Sequence, residues 1–188
     1  LLRMMRYFIR TDNLAEVLRL KEHFSPRFSK VGASDLTELS GYLLEKRYNP
    51  KPLDSETLRM KIDDVRKLLE KAVQADKTMP EAYYNLGRFF IYNNRQDGAI
   101  ENLTEAIKRF KTAAPMTTRR TIQYVDSMRL LGEQLVTQKK YLDAQTLYAD
   151  ALTVYRDYTA FKPLPPNQNI GKLYADYGDI DYFISYNF

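Results

Sequence analysis

Two stretches of this chain coincide when one is slid 45 residues along the other. Tyr83-x2-Leu86-Gly87-x2-Phe90, then Ala99-x3-Leu103-x2-Ala106, recurs as Met128-x2-Leu131-Gly132-x2-Leu135, then Ala144-x3-Tyr148-x2-Ala151. All seven columns keep their type: large, large, glycine, large, alanine, large, alanine. The first four columns fall at i, i+3, i+4 and i+7, one face of a helix, and the last three fall on one face of the next helix. Asn93 to Gly98 carries turn chemistry between them, with Asp97 as the expected N-cap, and Gln138-Lys139-Lys140 turns the second copy. Gly87 with Ala99, and Gly132 with Ala144, are small where paired helices must approach closely, with Phe90 and Leu103 filling the space beside them. A helix pair of this kind leaves apolar surface that only a neighbouring pair can cover, so such units stack.

The rest of the chain fits an all-α fold. Its 188 residues, 44% hydrophobic, can bury a sizeable core, and seven Gly and eight Pro are too few for a turn-rich β protein. Cysteine is absent, which excludes a disulfide framework, a cysteine zinc knuckle and a thiol nucleophile. No apolar run approaches the roughly 20 residues of a membrane span, so no membrane insertion by this segment is expected. The chain starts at Leu1 inside a helical pattern and stops at Phe188 before a further helix could pair with the one preceding. The expectation is a fragment of a larger protein, which leaves localisation open between cytoplasm and bacterial periplasm.

Around the two clear units the pattern degrades. Val65, Leu69 and Ala72 lie 34 residues before Ala99, Leu103 and Ala106 and mark the second helix of an earlier pair, expected over Asp54 to Ala75. Asn49-Pro50-Lys51-Pro52 breaks any helix just before it. Its partner is therefore expected over Ala33 to Tyr48, packing through Leu36, Leu39, Ser40 and Leu43. Leu2 to Arg10 and Leu14 to Phe24 form a hairpin about Thr11-Asp12-Asn13, and Phe24 to Ser29 is a connector. Thr117-Thr118 offers N-caps for a long helix to about Gln138. Phe161 to Pro166 is expected to be extended, followed by a short helix from Asn167 to Tyr177 ending at Gly178. Tyr182-Phe183-Ile184 echoes Tyr7-Phe8-Ile9 and Phe89-Phe90-Ile91 and suggests a new first helix. The expected segments are 1–30, a degenerate helical hairpin; 31–78, an interrupted unit; 79–112, a regular unit; 113–160, an extended unit; and 161–188, a Pro-rich connector with a truncated unit.

The seven columns resemble the tetratricopeptide repeat, whose unit runs W-x2-L-G-x2-Y, then A-x3-F, then A. The resemblance is specific over 81–155 and weaker outside. It implies an antiparallel helix-pair solenoid, a right-handed superhelix with irregular, extended repeats, serving as a protein–protein interaction module in a larger scaffold or adaptor. It further implies a concave groove lined by first-helix residues that face away from the packing columns. Here these are Glu81, Tyr84, Arg88 and Ile91, then Asp126, Arg129, Glu133 and Val136. Aromatic and arginine side chains dominate binding hot spots, which singles out Tyr84 with Arg88. The groove columns with which some members of the family clamp a chaperone's C-terminal carboxylate do not match. Asn85 occupies the middle one, but Thr37, Gly41, Asp126 and Leu130 stand at the flanks. The 45-residue unit is also similar to repeat regions of large bacterial envelope and motility assemblies, such as the spirochaetal periplasmic flagellar collar.

Catalytic chemistry finds little footing, and neither an enzyme nor a cofactor is expected. His23 is the only histidine and sits near a helix end beside Phe24, so no Ser-His-Asp geometry is supported and no histidine pair can hold a metal. No glycine-rich phosphate loop occurs. Asp176, Asp179 and Asp181 lack the spacing of a calcium loop and are expected to cap and solvate a helix start, as Asp63-Asp64 suit a helix first turn. Net charge is +5, with +4 in residues 1–30 and −2 in residues 163–188, a modest excess for a nucleic-acid footprint. Fifteen tyrosines with Arg119-Arg120 and Lys139-Lys140 keep an RNA-binding helical repeat as the alternative. A regulatory segment of a multidomain enzyme is a third class.

Overall fold

The computed structural model describes residues 2–24, 31–48, 61–163 and 167–187. The connector after Phe24, the break at Asn49 to Pro52, the stretch Asp54 to Met60, the prolines at 165 and 166 and the side chain of His23 lie outside the described residues. Within them the chain is all-helical, with no strand. The helices are α1 Leu2–Arg10, α2 Leu14–Phe24, α3 Ala33–Tyr48, α4 Ile62–Ala75, α5 Pro80–Tyr92, α6 Gln96–Phe110, α7 Thr118–Thr137, α8 Tyr141–Phe161 and α9 Gln168–Asn187.

Three of the connections are closed by the same local chemistry. Asp12, Asn94 and Lys139 adopt left-handed backbone, with φ of 56°, 54° and 61°. Asn94 N–H then reaches the Ile91 carbonyl at 3.0 Å and Arg95 N–H the Phe90 carbonyl at 2.9 Å. The same pair of bonds recurs from Lys139 to Val136 and Lys140 to Leu135, and from Asp12 to Ile9 and Asn13 to Phe8. Each satisfies carbonyls that a helix end leaves open and reverses the chain within three residues. Because this closure sets the start of α6, Arg95 holds the N-cap position without a side-chain bond, and Asp97 falls inside the first turn instead of capping it. Thr117 does cap α7, its hydroxyl accepting from Arg120 N–H at 3.3 Å.

Among the described residues, substantial contacts run only to the next helix or the next but one. α1–α2, α3–α4, α5–α6 and α7–α8 form hairpins, and α9 packs on both α8 and α7. The odd-numbered helices also touch in succession, α1 to α3 to α5 to α7 to α9, whereas among the described residues the even-numbered ones lie farther apart and meet through side chains, as where Lys21 Nζ of α2 reaches Asp64 Oδ2 of α4 at 3.1 Å. Apolar residues fill three successive layers: one among α1 to α5 around Leu39, Leu69 and Phe89, one among α5 to α7 around Leu103 and Phe110, and one among α7 to α9 around Tyr148 and Leu173.

The glycines of the repeat sit where one helix presses into another. A Cβ on Gly87 would lie 2.8 Å from Leu103 Cγ, and one on Gly132 would overlap Tyr148 Cε1. The closest approach is thus to the large column of the partner helix, not to Ala99 or Ala144, both of which are fully buried.

Three boundaries differ from the sequence expectation. α4 begins at Ile62, because Lys61 is extended (φ −72°, ψ 131°) and Asp63 and Asp64 supply the acidic first turn. α8 continues through Phe161, and extended backbone starts at Lys162. α9 runs straight through Gly178 to Asn187. Buried Ile170, Leu173 and Ile180 continue one apolar stripe past that glycine, whose cost in a helix is about 1 kcal/mol. Asp176, Asp179 and Asp181 consequently lie in mid-helix and cap nothing.

Candidate groove across alternate helices

Four of the odd-numbered helices, α3, α5, α7 and α9, share a cleft of about 650 Å³. Glu45 enters it from α3; Tyr84, Arg88, Ile91 and Tyr92 from α5; Asp126, Arg129, Leu130 and Glu133 from α7; and Gln168, Asn169 and Lys172 from α9. Six of the eight residues transferred from the repeat pattern are brought together here. Glu81 is not: it pairs with Arg120 at 2.6 Å, and its Oε2 is buried without a partner. Val136 packs against the α7–α9 apolar layer instead.

The floor of the cleft is a ladder of polar side chains. The Tyr84 hydroxyl, on a residue only 5% exposed, donates to Asp126 Oδ2 at 2.8 Å. Asp126 Oδ1 accepts from Arg129 Nε at 3.1 Å, and Arg129 Nη1 also reaches Glu133 and, at 3.4 Å, Asp176 Oδ2 on α9. On the other side Arg88 Nη2 donates to Glu45 Oε2 at 2.8 Å and to the Tyr92 hydroxyl at 3.0 Å. Its guanidinium lies 5.4 Å from the Tyr84 ring centroid and 5.7 Å from that of Tyr92. Tyr92 in turn stacks on Tyr48 with centroids 4.6 Å apart. Four helices are thereby tied by side chains that satisfy one another, the condition for polar groups to be tolerated away from water.

The electrostatics follow from this packing. Burial, reinforced by the charge on Asp126, pushes the Tyr84 phenol well above its usual value. Burial works against the charge on Arg129, but Asp126 and Glu133 outweigh it and hold the guanidinium charged. Burial raises Glu133, Arg129 opposes the shift, and Asp176 adds to it. Tyr148 is raised by burial and then by Asp176. One guanidinium serves three carboxylates, while the exposed Lys172 forms no ion pair among the described residues. Among the described residues no group of three His, Asp or Glu is arranged to hold a metal ion.

The structure assigns internal roles to several residues the sequence left open. Asn85 is buried, donates to the Thr37 carbonyl at 3.3 Å, and fits because residue 41 is glycine, where a Cβ would stand 2.7 Å from its Nδ2. The middle column of a carboxylate clamp is thus spent on α3–α5 packing. Arg120 is occupied by Glu81 and the carbonyls of Ala114 and Pro115. Tyr148 is fully buried, and Tyr83 lies under Arg109, whose guanidinium is 4.3 Å from its centroid. Glu45, Tyr92, Lys172 and Asp176 are cleft or ladder residues that pattern matching missed. Of these, Tyr92 had a signal, since it stands four residues after Arg88 and so on the same helix face. No family model and no curated protein matches the chain.

Proposed function

We propose that the chain is a protein-binding module: a tetratricopeptide-like stack of helix pairs, part of a larger scaffold, whose groove holds a partner's helix or extended segment. The observation that carries this is one cleft shared by α3, α5, α7 and α9, the alternate helices of the stack. A surface assembled from successive repeats is what such architectures offer to a ligand. The ladder adds preorganisation, since Arg88 and Tyr92 are held in place before a partner arrives and lose little freedom on binding. Both belong to residue types that dominate interface energetics. Apart from the exposed Lys172, the titratable groups of the cleft are engaged with one another, which suits recognition better than proton transfer.

The test is a partner captured at raised salt, purified and titrated against cleft variants. Arg88→Gln with Lys172→Ala is expected to weaken binding by about tenfold or more, while the outward Arg156→Gln is expected to leave it unchanged. Equal affinity for all three proteins would sink the groove assignment. Retention on a polyanion that falls steeply with salt would favour the RNA-binding alternative.

A further inference from the structure

The turn between α7 and α8 departs from both sister turns at its left-handed residue and from the α5–α6 turn also two and three places further on. The left-handed residue is Asp12 in the first hairpin and Asn94 in the third, types whose short polar side chains tolerate that backbone. In the fourth it is Lys139, which has no such compensation. Two and three residues on, Gln96 and Asp97 of the sister turn are replaced by Tyr141 and Leu142. The carboxylate of the α8 first turn is Asp143, and Leu142 stands just before it, 66% exposed. A left-handed lysine beside an exposed leucine adds nothing to the hairpin itself, which points to use by something else.

The surroundings indicate what that use is. Residues Lys139 to Asp143 wall a pocket of about 350 Å³. Tyr141 packs on Phe183 of α9 with ring centroids 4.7 Å apart, carrying the apolar surface on to Phe183 and Tyr182, which are 38% and 65% exposed. An apolar patch edged by charge marks an interaction site more often than it marks bare solvent surface. Lys139 and Lys140 are exposed and form no ion pair among the described residues, and Asp143 is the one carboxylate of the pocket wall. The pocket wall itself is thus net positive, with the further carboxylate of Asp181, beside Tyr182 on α9, accepting from Gln145 at 2.7 Å.

We propose that this turn is a second docking surface, independent of the groove, for an acidic peptide segment that inserts a Leu or Phe side chain beside Tyr141 and Leu142. Its carboxylates face Lys139 and Lys140. A concave pocket receives one protruding side chain, which favours a peptide over a flat lipid surface.

Selection from a random heptapeptide library is expected to enrich Leu or Phe flanked by Asp or Glu. A synthetic peptide of the enriched sequence should bind the Lys139→Asn/Leu142→Asp variant at least about tenfold more weakly. That variant restores the residue types of the sister turn, so it is expected to fold, which its thermal midpoint verifies. Arg88→Gln/Lys172→Ala should leave the affinity unchanged, which separates this site from the groove. Three results overturn the proposal: no enrichment, enrichment without acidic residues, or equal affinity for the turn variant. Retention on phosphatidylserine vesicles that depends on the same two residues, without peptide enrichment, would reassign the surface to lipid.

Discussion

Replacing Gly132 by alanine probes the tightest of the glycine contacts among the described residues. The added methyl would overlap Tyr148 Cε1 and lie 2.7 Å from Cζ and 2.9 Å from Cδ1. Tyr148 is 2% exposed and packed on all sides by the α7–α9 layer, so its ring has nowhere to move. Forcing a methyl into a filled core costs about 1–3 kcal/mol, and a helical glycine changed to alanine regains roughly 0.5–1. With three ring atoms in conflict the overpacking falls at the upper end, and the net loss is about 2 kcal/mol. For a chain of this size that lowers the thermal midpoint by roughly 4–8 °C. Gly178 is the control: it is also mid-helix, but a Cβ there meets nothing within 4 Å. Gly178→Ala is therefore expected to stabilise by about 0.5–1 kcal/mol. Circular dichroism melts of both variants decide the matter, and Tyr148→Leu added to Gly132→Ala should recover part of the loss, since the two sites are in contact. A Gly132→Ala protein as stable as the parent would refute the packing argument.

Two further outcomes follow from local chemistry. Lys139→Gly removes the cost of left-handed backbone on a long side chain and should raise stability by about 0.5–1 kcal/mol, measured by urea unfolding; an unchanged midpoint would contradict the turn geometry. Glu133 is raised above its ordinary 4.5 in the folded chain, so the native state binds its proton more tightly than the unfolded state. Its contribution to stability must then fall as pH rises from 4.5 through the raised value. Glu133→Gln should flatten that part of the stability profile, and an identical slope in the variant would show that another group is responsible.

Much of the fold was legible because it is local. The helix faces at 83–90 and 99–106, the hairpin about Thr11 to Asn13 and the Thr117 cap all follow from spacing and from the bonding capacity of neighbouring residues. The errors arose where tertiary packing outweighs local preference: Gly178 reads as a stop, yet the buried stripe on both sides of it keeps α9 intact. Asp97 reads as a cap, yet left-handed Asn94 has already fixed the start of α6. The groove residues could be transferred column by column, but their mutual bonding could not. Tyr84 and Asp126 are 42 residues apart and Arg129 and Asp176 are 47 apart, distances over which no sequence pattern announces a partner.

The unequal seams of the stack carry a mechanical consequence. The odd helices are riveted in succession by charged and aromatic side chains, while among the described residues the even helices are joined to one another more sparsely, Lys21 of α2 to Asp64 of α4 being such a bond. A stack with unequal seams is expected to yield first along the more sparsely bonded one, with the riveted edge as the pivot. The cleft lies on the riveted side, so its rungs are expected to keep their spacing while the opposite side opens or closes.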